Sequence, residues 1–397
     1  MTTQTIHGPL TIDANLLTDI QRYGAPEVSA CFSCGNCTAI CPMASNDGTF
    51  PRRMIRYGQV GMKDALLSSK ELWSCYHCGL CSQSCPQEAD PGAYMAAARR
   101  YAIANYDKTG IARTLYTRPV LGSFLEVAVA GLIASLLYSA HGARSTSSLA
   151  LFKFIPEPVI HWSGIAMIAA AALVVLVGVT TMVRGIARNE GVGRSALFGG
   201  RDALASSRRA LWEAVGVESL GQRRFRDDCA NEKEPEPWYR RRWLIHAATM
   251  WGFLGLLTAS GLDYGLALAG IRKTGAPVPI WYPARLLGTV AGVLMVYGVA
   301  MLMRNRLARS GEAAKHSDQS DWVLLIMLMV IGASGFLTES ALYLTHAPAW
   351  GYWMFLFHVS VALELLVLLP FMKFAHVIYR PVALFFQSLA SSTTKQG

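Results

Sequence analysis

Six long apolar stretches, at about residues 120–140, 161–183, 243–268, 284–303, 322–344 and 353–379, constrain this chain more than any other feature. Each supplies the roughly 20 apolar residues that a helix needs to cross a hydrocarbon layer of about 30 Å. Buried core helices of a large soluble protein would show a polar stripe instead. The run from Ile165 to Val179 has no charged residue on any face. Composition agrees, with 52% hydrophobic and 16% charged residues, against about 25% charged in an ordinary globular protein. Six transmembrane helices are expected.

Basic residues set the orientation of that bundle. The connectors 184–242 and 304–321 and the segment from Lys373 onward hold 20 Lys and Arg, whereas the alternate connectors hold 5. The positive-inside rule makes the first set cytoplasmic, together with both chain ends, in a multi-pass protein of the inner membrane. The net charge of +10 is therefore an expression of topology. No nucleic-acid partner is expected, although Arg240, Arg241 and Arg242 beside a membrane face suit anionic lipid. Met1 to Gly24 is polar without an apolar run, so no secretory signal is expected.

Eight of the nine cysteines fall within residues 31–85, in two copies of one pattern, C-x2-C-x2-C-x3-C-P. Disulfide scaffolds spread their cysteines around a small core, and zinc sites use them in pairs. Three thiolates at this spacing suit three irons of one cube, and the fourth, followed by Pro, is directed to the neighbouring cube. On that rule one [4Fe–4S] cluster takes Cys31, Cys34, Cys37 and Cys85. The other takes Cys75, Cys78, Cys81 and Cys41. Gly35 and Gly79 allow close backbone approach to the clusters, and His77 reads as a neighbour rather than a ligand. Met54–Leu67 and Ala93–Asn105 have helical spacing. The reading is an all-α fold: a cytoplasmic helical ferredoxin domain over 1–118, a six-helix transmembrane cytochrome b-type bundle over 119–387, and a disordered tail over 388–397. Cys229, in the Arg-rich connector, reads as a free thiol.

The membrane histidines suggest haem. His358 and His376 are 18 residues apart, five turns on one helix, which places them on one face about 27 Å apart. Two b haems at two depths would fit, or one. His246, at the cytoplasmic end of the third span, pairs by depth with His376; for His358 the candidate partners are His161 and His346, with His161 preferred because it adjoins a membrane helix. Glu126, Asp263, Glu339 and Glu364 are costly in a membrane and so are candidates for proton exchange with a quinone. A transporter or redox switch would instead predict broken helices and no haem.

The order of these motifs resembles a fusion of the C and E subunits of heterodisulfide reductase. FPRRMIRYGQVG at 50–61, LWSCYHCGLCSQSCP at 72–86 and GAYMAAARRYAIANYDKTG at 92–110 carry the likeness. The arrangement is similar to the C subunits of quinone-interacting membrane-bound oxidoreductase (Qmo) complexes, and the stretch from His358 to His376 is similar to the last helix of nitrate reductase gamma subunits. These resemblances imply electron transfer between a quinone, menaquinone by analogy, and soluble flavin and iron–sulfur subunits that serve adenylylsulfate reductase in dissimilatory sulfur metabolism. The alternative they imply is a membrane subunit of a heterodisulfide reductase or a sulfite reductase-linked complex. In either case the chain is the electron-transfer subunit of an oxidoreductase and performs no bond-making catalysis itself.

Overall fold

The computed structural model describes residues 11–45, 49–145, 147–193, 197, 199–229, 237–272, 278–310, 312–315, 317–344 and 346–394. Among them there is no strand. The N-terminal part is built from α1 (Leu16–Gln21), α2 (Arg52–Gln59), α3 (Pro91–Tyr106) and α4 (Ile111–Thr117), with single helical turns at Asn36–Ile40 and Leu80–Gln83. The helix expected over 54–67 is two pieces, because Gly58 and Gly61 interrupt good helix formers and the chain resumes at Lys63–Leu67. At the start of α3, Asp90 Oδ1 accepts from Ala93 N at 2.9 Å and from Ser82 Oγ, which ties the helix to the second cysteine loop.

All six membrane-length helices are present: α5 (Pro119–Ser139), α6 (Glu157–Asn189), then, after a surface helix α7 (Arg201–Leu211), α8 (Arg242–Leu268), α9 (Pro283–Leu307), α10 (Gln319–Leu342) and α11 (Ala349–Leu368). α7 continues as wider π-helical turns over Trp212–Leu220. α11 is the most buried of the six, with 56% of its most apolar window buried, while α5 and α6 bury 17% and 11%.

Two expectations fail at the C-terminal end. The last span stops at Leu368, and His376 opens a separate helix, α12 (His376–Thr394). Pro370 is the cause: it has no N–H for the helix ladder and crowds the residue before it. His358 and His376 therefore do not share one helix face. The segment from 388, expected to be disordered, is helical as far as Thr394; residues 395–397 lie outside the described ones.

The two parts share one hydrophobic core. It runs from Leu16, Trp73 and Tyr94 through Met182 and Ile186 of α6 to Phe374 and Tyr379. Tyr379 packs on Trp73 and Tyr106 at ring-centroid distances of 5.4 and 5.1 Å. Ser74 Oγ donates to Gln387 Oε1 at 2.6 Å, and Lys70 pairs with Glu190. Each large apolar side chain buried here contributes about 1.5–3 kcal/mol before the entropy of ordering is subtracted.

Candidate redox site

The two cysteine loops repeat one backbone. Ser33 and His77 have φ of 62° and 55°, and Gly35 and Gly79 have φ of 91° and 89°. The left-handed glycine ends each tight loop and starts a helical turn, a conformation that costs any residue with a Cβ. His77 N donates to Cys75 Sγ at 3.3 Å, which places a backbone N–H on a ligand-type sulfur.

The fourth cysteine of the first loop is directed away from its own loop. Cys41 sits with Cys75, Cys78 and Cys81 around a single cleft walled by Met43, Phe50 and Met95. Burial pushes the Cys41 thiol up to about 11, with Cys75 and Cys78 acting in the same direction. The Cys81 thiol is raised by burial and then by Cys75, Cys78 and Cys41. Thiols raised in this way, Cys41 and Cys81, resist ionisation unless a cationic centre takes up their charge. Among the described residues no three His, Cys, Asp or Glu side chains close on a single metal ion. Four cysteines around one cleft are a donor set that suits a polynuclear cluster with one sulfur per iron. In the first loop, burial and then Cys31 and Cys34 raise the Cys37 thiol. Asn36 Nδ2 donates to Ser84 O, holding the residue before Cys85 against this trio.

The second loop faces the membrane helices. Arg99 of α3 donates to Cys75 O at 2.6 Å, Arg380 of α12 to Cys75 O at 3.3 Å, and Arg242 of α8 to His77 O at 3.2 Å. Enclosure, followed by Lys373, Arg99 and Arg242, holds His77 down to about 3, so it stays neutral. Tyr76 Oη donates to Glu218 Oε2 at 3.1 Å, which brings the π-helical segment alongside. None of these partners was visible in the sequence, because they lie up to 305 residues apart; the only signal was the clustering of arginines near span ends.

Of the candidate histidines, His246 and His376 lie near enough for the charge of one to act on the other. His376 Nδ1–H donates to Lys373 O at 2.7 Å, which orients the ring and leaves the lone pair of Nε2 free to ligate. Burial holds His376 down to about 3, with His246, Lys373 and Arg380 acting in the same direction. Lys373 is itself fixed by Asp321, which also accepts from Arg306 at 3.3 Å. The other two histidines are separately engaged. His358 Nδ1 is 3.0 Å from Ser334 Oγ, and its ring fills the notch at Gly335, where a Cβ would stand 3.1 Å from Cε1. His161 lies 3.9 Å from Glu157 Oε1 and packs against Tyr264 with ring centroids 4.0 Å apart and planes tilted by 53°.

Among the membrane carboxylates, Asp263 pairs with Arg272, and Glu339 pairs with Arg285 at 3.5 Å and accepts from Thr289 at 3.1 Å. Glu364 of α11 is 4% exposed and has Glu126 of α5 as the charge acting on it. The Cys229 side chain lies outside the described residues.

The family described as Citrate utilization protein B matches residues 113–396, most of the chain. The chain belongs to that family. A 4Fe-4S dicluster domain matches residues 27–89, ahead of the family's region and over both cysteine loops. The E subunit of dihydromethanophenazine:CoB–CoM heterodisulfide reductase from Methanosarcina mazei is 26% identical over 155 residues, 36% of this chain and 58% of the relative. Citrate utilization protein B of Escherichia coli is 28% identical over 165 residues, 40% of each. The C subunit of the H2:CoB-CoM heterodisulfide,ferredoxin reductase from Methanothermobacter thermautotrophicus is 36% identical over 62 residues, 16% of this chain and 34% of the relative. The chain thus spans between a third and three fifths of these relatives, and it joins in one polypeptide features similar to separate C and E subunits. No solved structure matches significantly.

Proposed function

We propose that this member of the family is the membrane electron-transfer subunit of an oxidoreductase complex, joining a quinone in the bilayer to soluble flavin and iron–sulfur subunits. The observation that carries the reading is the seat of the second cysteine loop. The cleft of Cys41, Cys75, Cys78 and Cys81 lies beside the end of the helix bundle that carries His246 and His376, with Arg242 of α8 donating to His77 O of the same loop. In this reading residues 1–118 form the cytoplasmic ferredoxin domain and residues from 119 onward the haem and quinone domain. Cys31, Cys34, Cys37 and Cys85 hold one [4Fe–4S] cluster, and Cys41, Cys75, Cys78 and Cys81 the other. His246 and His376 hold one b haem at the cytoplasmic side. His161 and His358, engaged by Tyr264 and Ser334 respectively, are left outside it.

When bound, these groups supply one-electron steps between a two-electron quinone couple and a soluble acceptor. The chain's own residues do the rest. Lys373 O keeps Nδ1 of His376 engaged, burial keeps its imidazole neutral, and Asp321 anchors Lys373. Oxidation of a quinol releases two electrons and two protons, and reduction of a quinone takes up the same. Glu364, buried in α11 and facing Glu126, is the carboxylate best placed to hold such a proton at its side-chain oxygens. The three sequence stretches at 50–61, 72–86 and 92–110 favour a Qmo-type complex with menaquinone, feeding adenylylsulfate reductase in dissimilatory sulfur metabolism. The relatives of known name favour a second reading, a membrane subunit serving a heterodisulfide reductase.

A reduced-minus-oxidised spectrum with haem and iron quantitation on the detergent-purified chain tests this. About one b haem and eight non-haem irons per chain, both reducible by a menaquinol analogue, are expected. Two haems would return His161 and His358 to the ligand set; absence of haem would overturn the haem–quinone reading.

A further inference from the structure

The two cysteine loops share a backbone but differ in the charges that touch them. Around the first loop the contacts are neutral: Gln59 Nε2 donates to Cys31 O at 2.6 Å, and Ser33 Oγ to Gln59 Oε1 at 3.2 Å. The cation beside it, Arg52, has its guanidinium 3.2 Å from where a Cβ on Gly35 would stand, and it is exposed to water. Around the second loop, Arg99 binds the carbonyls of Leu72 and Cys75 at 2.8 and 2.6 Å. Arg380 binds Cys75 O and lies over the Tyr76 ring at 4.3 Å. Both are half-buried at the junction of the two parts, and among the described residues neither forms an ion pair with a carboxylate. The nearby Glu218 is taken by Arg223 and Arg224.

A charge withdrawn from water needs a counter-charge. A cubane held by four thiolates is an anion, and one-electron reduction adds one further negative charge to it. A fixed cation nearby stabilises the reduced form more than the oxidised form and so raises the reduction potential. Screening by water weakens the same effect at the exposed Arg52.

We infer that Arg99 and Arg380 are tuning residues of the Cys41–Cys75–Cys78–Cys81 cluster, raising its reduction potential without acting on the cluster of the first loop. The inference rests on the cluster reading above. It makes the membrane-facing cluster a favoured resting place for an electron arriving from the bundle, through charge that the loop sequence itself does not encode.

The test is an EPR-monitored redox titration of the full-length purified protein and of its Arg380→Gln, Arg99→Gln and Arg380→Lys variants. In each glutamine variant one of the two cluster signals should move to more negative potential, by about tenfold in its reduction equilibrium or about 59 mV for a one-electron couple, while the other stays in place. Arg380→Lys, which keeps the charge and loses the planar fork, should hold close to the parent value. The inference falls if both signals stay unmoved with iron content intact, if both move together, or if Arg380→Lys shifts as far as Arg380→Gln. Should one glutamine variant lose iron, the titration of the other decides: a negative shift of one signal alone supports the inference and an unmoved pair of signals overturns it. A parent protein without eight irons would instead remove the cluster reading itself.

Discussion

The first and second cysteine loops are nearly the same object placed in two settings. Both read C-x2-C-x2-C-x3-C-P, and both turn through left-handed residues at equivalent positions, 33 and 35 in one, 77 and 79 in the other. Yet Phe32 of the first loop is 62% exposed and Cys34 is open to solvent, while the equivalent Tyr76 is 7% exposed, under Arg380 and against Glu218. Local sequence therefore specifies how each loop folds and which sulfurs it offers. The rest of the chain specifies what each loop faces.

The sharpest way to break this comparison is at the exchanged cysteines. Cys41→Ala should cost the second loop's cluster, roughly half the iron, and leave the first loop's signal in place, as measured by iron analysis and EPR. Loss of the first loop's signal instead would show that each loop keeps its own fourth cysteine. Next in size is the bundle end that the second loop faces. His376→Ala should remove the haem without lowering iron, and His358→Ala should leave haem content unchanged; a haemochrome assay distinguishes them, and full haem in the His376 variant would sink the assignment. A smaller effect probes the shared backbone. Gly35→Ala and Gly79→Ala should each destabilise by about 1–2 kcal/mol through left-handed strain, visible as similar drops in thermal midpoint. Markedly unequal drops would mean that surroundings outweigh loop geometry. Smallest is Lys70→Ala, which removes the ion pair with Glu190 across the junction and should cost about 1 kcal/mol or less.

Much of this was legible in the sequence. The six spans are apolar long enough to announce themselves, and α5, α6, α8, α9 and α10 begin and end within a few residues of the expected limits, apart from the extra turns of α6. The exchange of Cys41 follows from a spacing rule that depends only on neighbours along the chain, and the structure places Cys41 in the second loop's cleft. The break after Leu368 was also readable, since Pro370 stands in the middle of the last apolar run; hydropathy treats proline as one more tolerable residue, whereas the helix ladder does not. What could not be read was long-range. The meeting of Arg99, Arg242 and Arg380 joins residues from three distant segments, and no periodicity of any one of them encodes it. The continuity of the core across Arg118 was hidden likewise, because the composition change at that point looks like a boundary, yet Tyr379 completes the packing around Trp73.

That continuity bears on how the protein is made. The N-terminal region leaves the ribosome first, but its Trp73 and Tyr106 find their cover only when Tyr379, near the other end, has been synthesised and all six spans are in place. A fragment ending at Arg118 would present those rings to water and should be sticky rather than a well-behaved soluble ferredoxin. The order of manufacture thus leaves the domain ajar until the very end of translation, a window in which iron and sulfide can still be delivered to its cysteines.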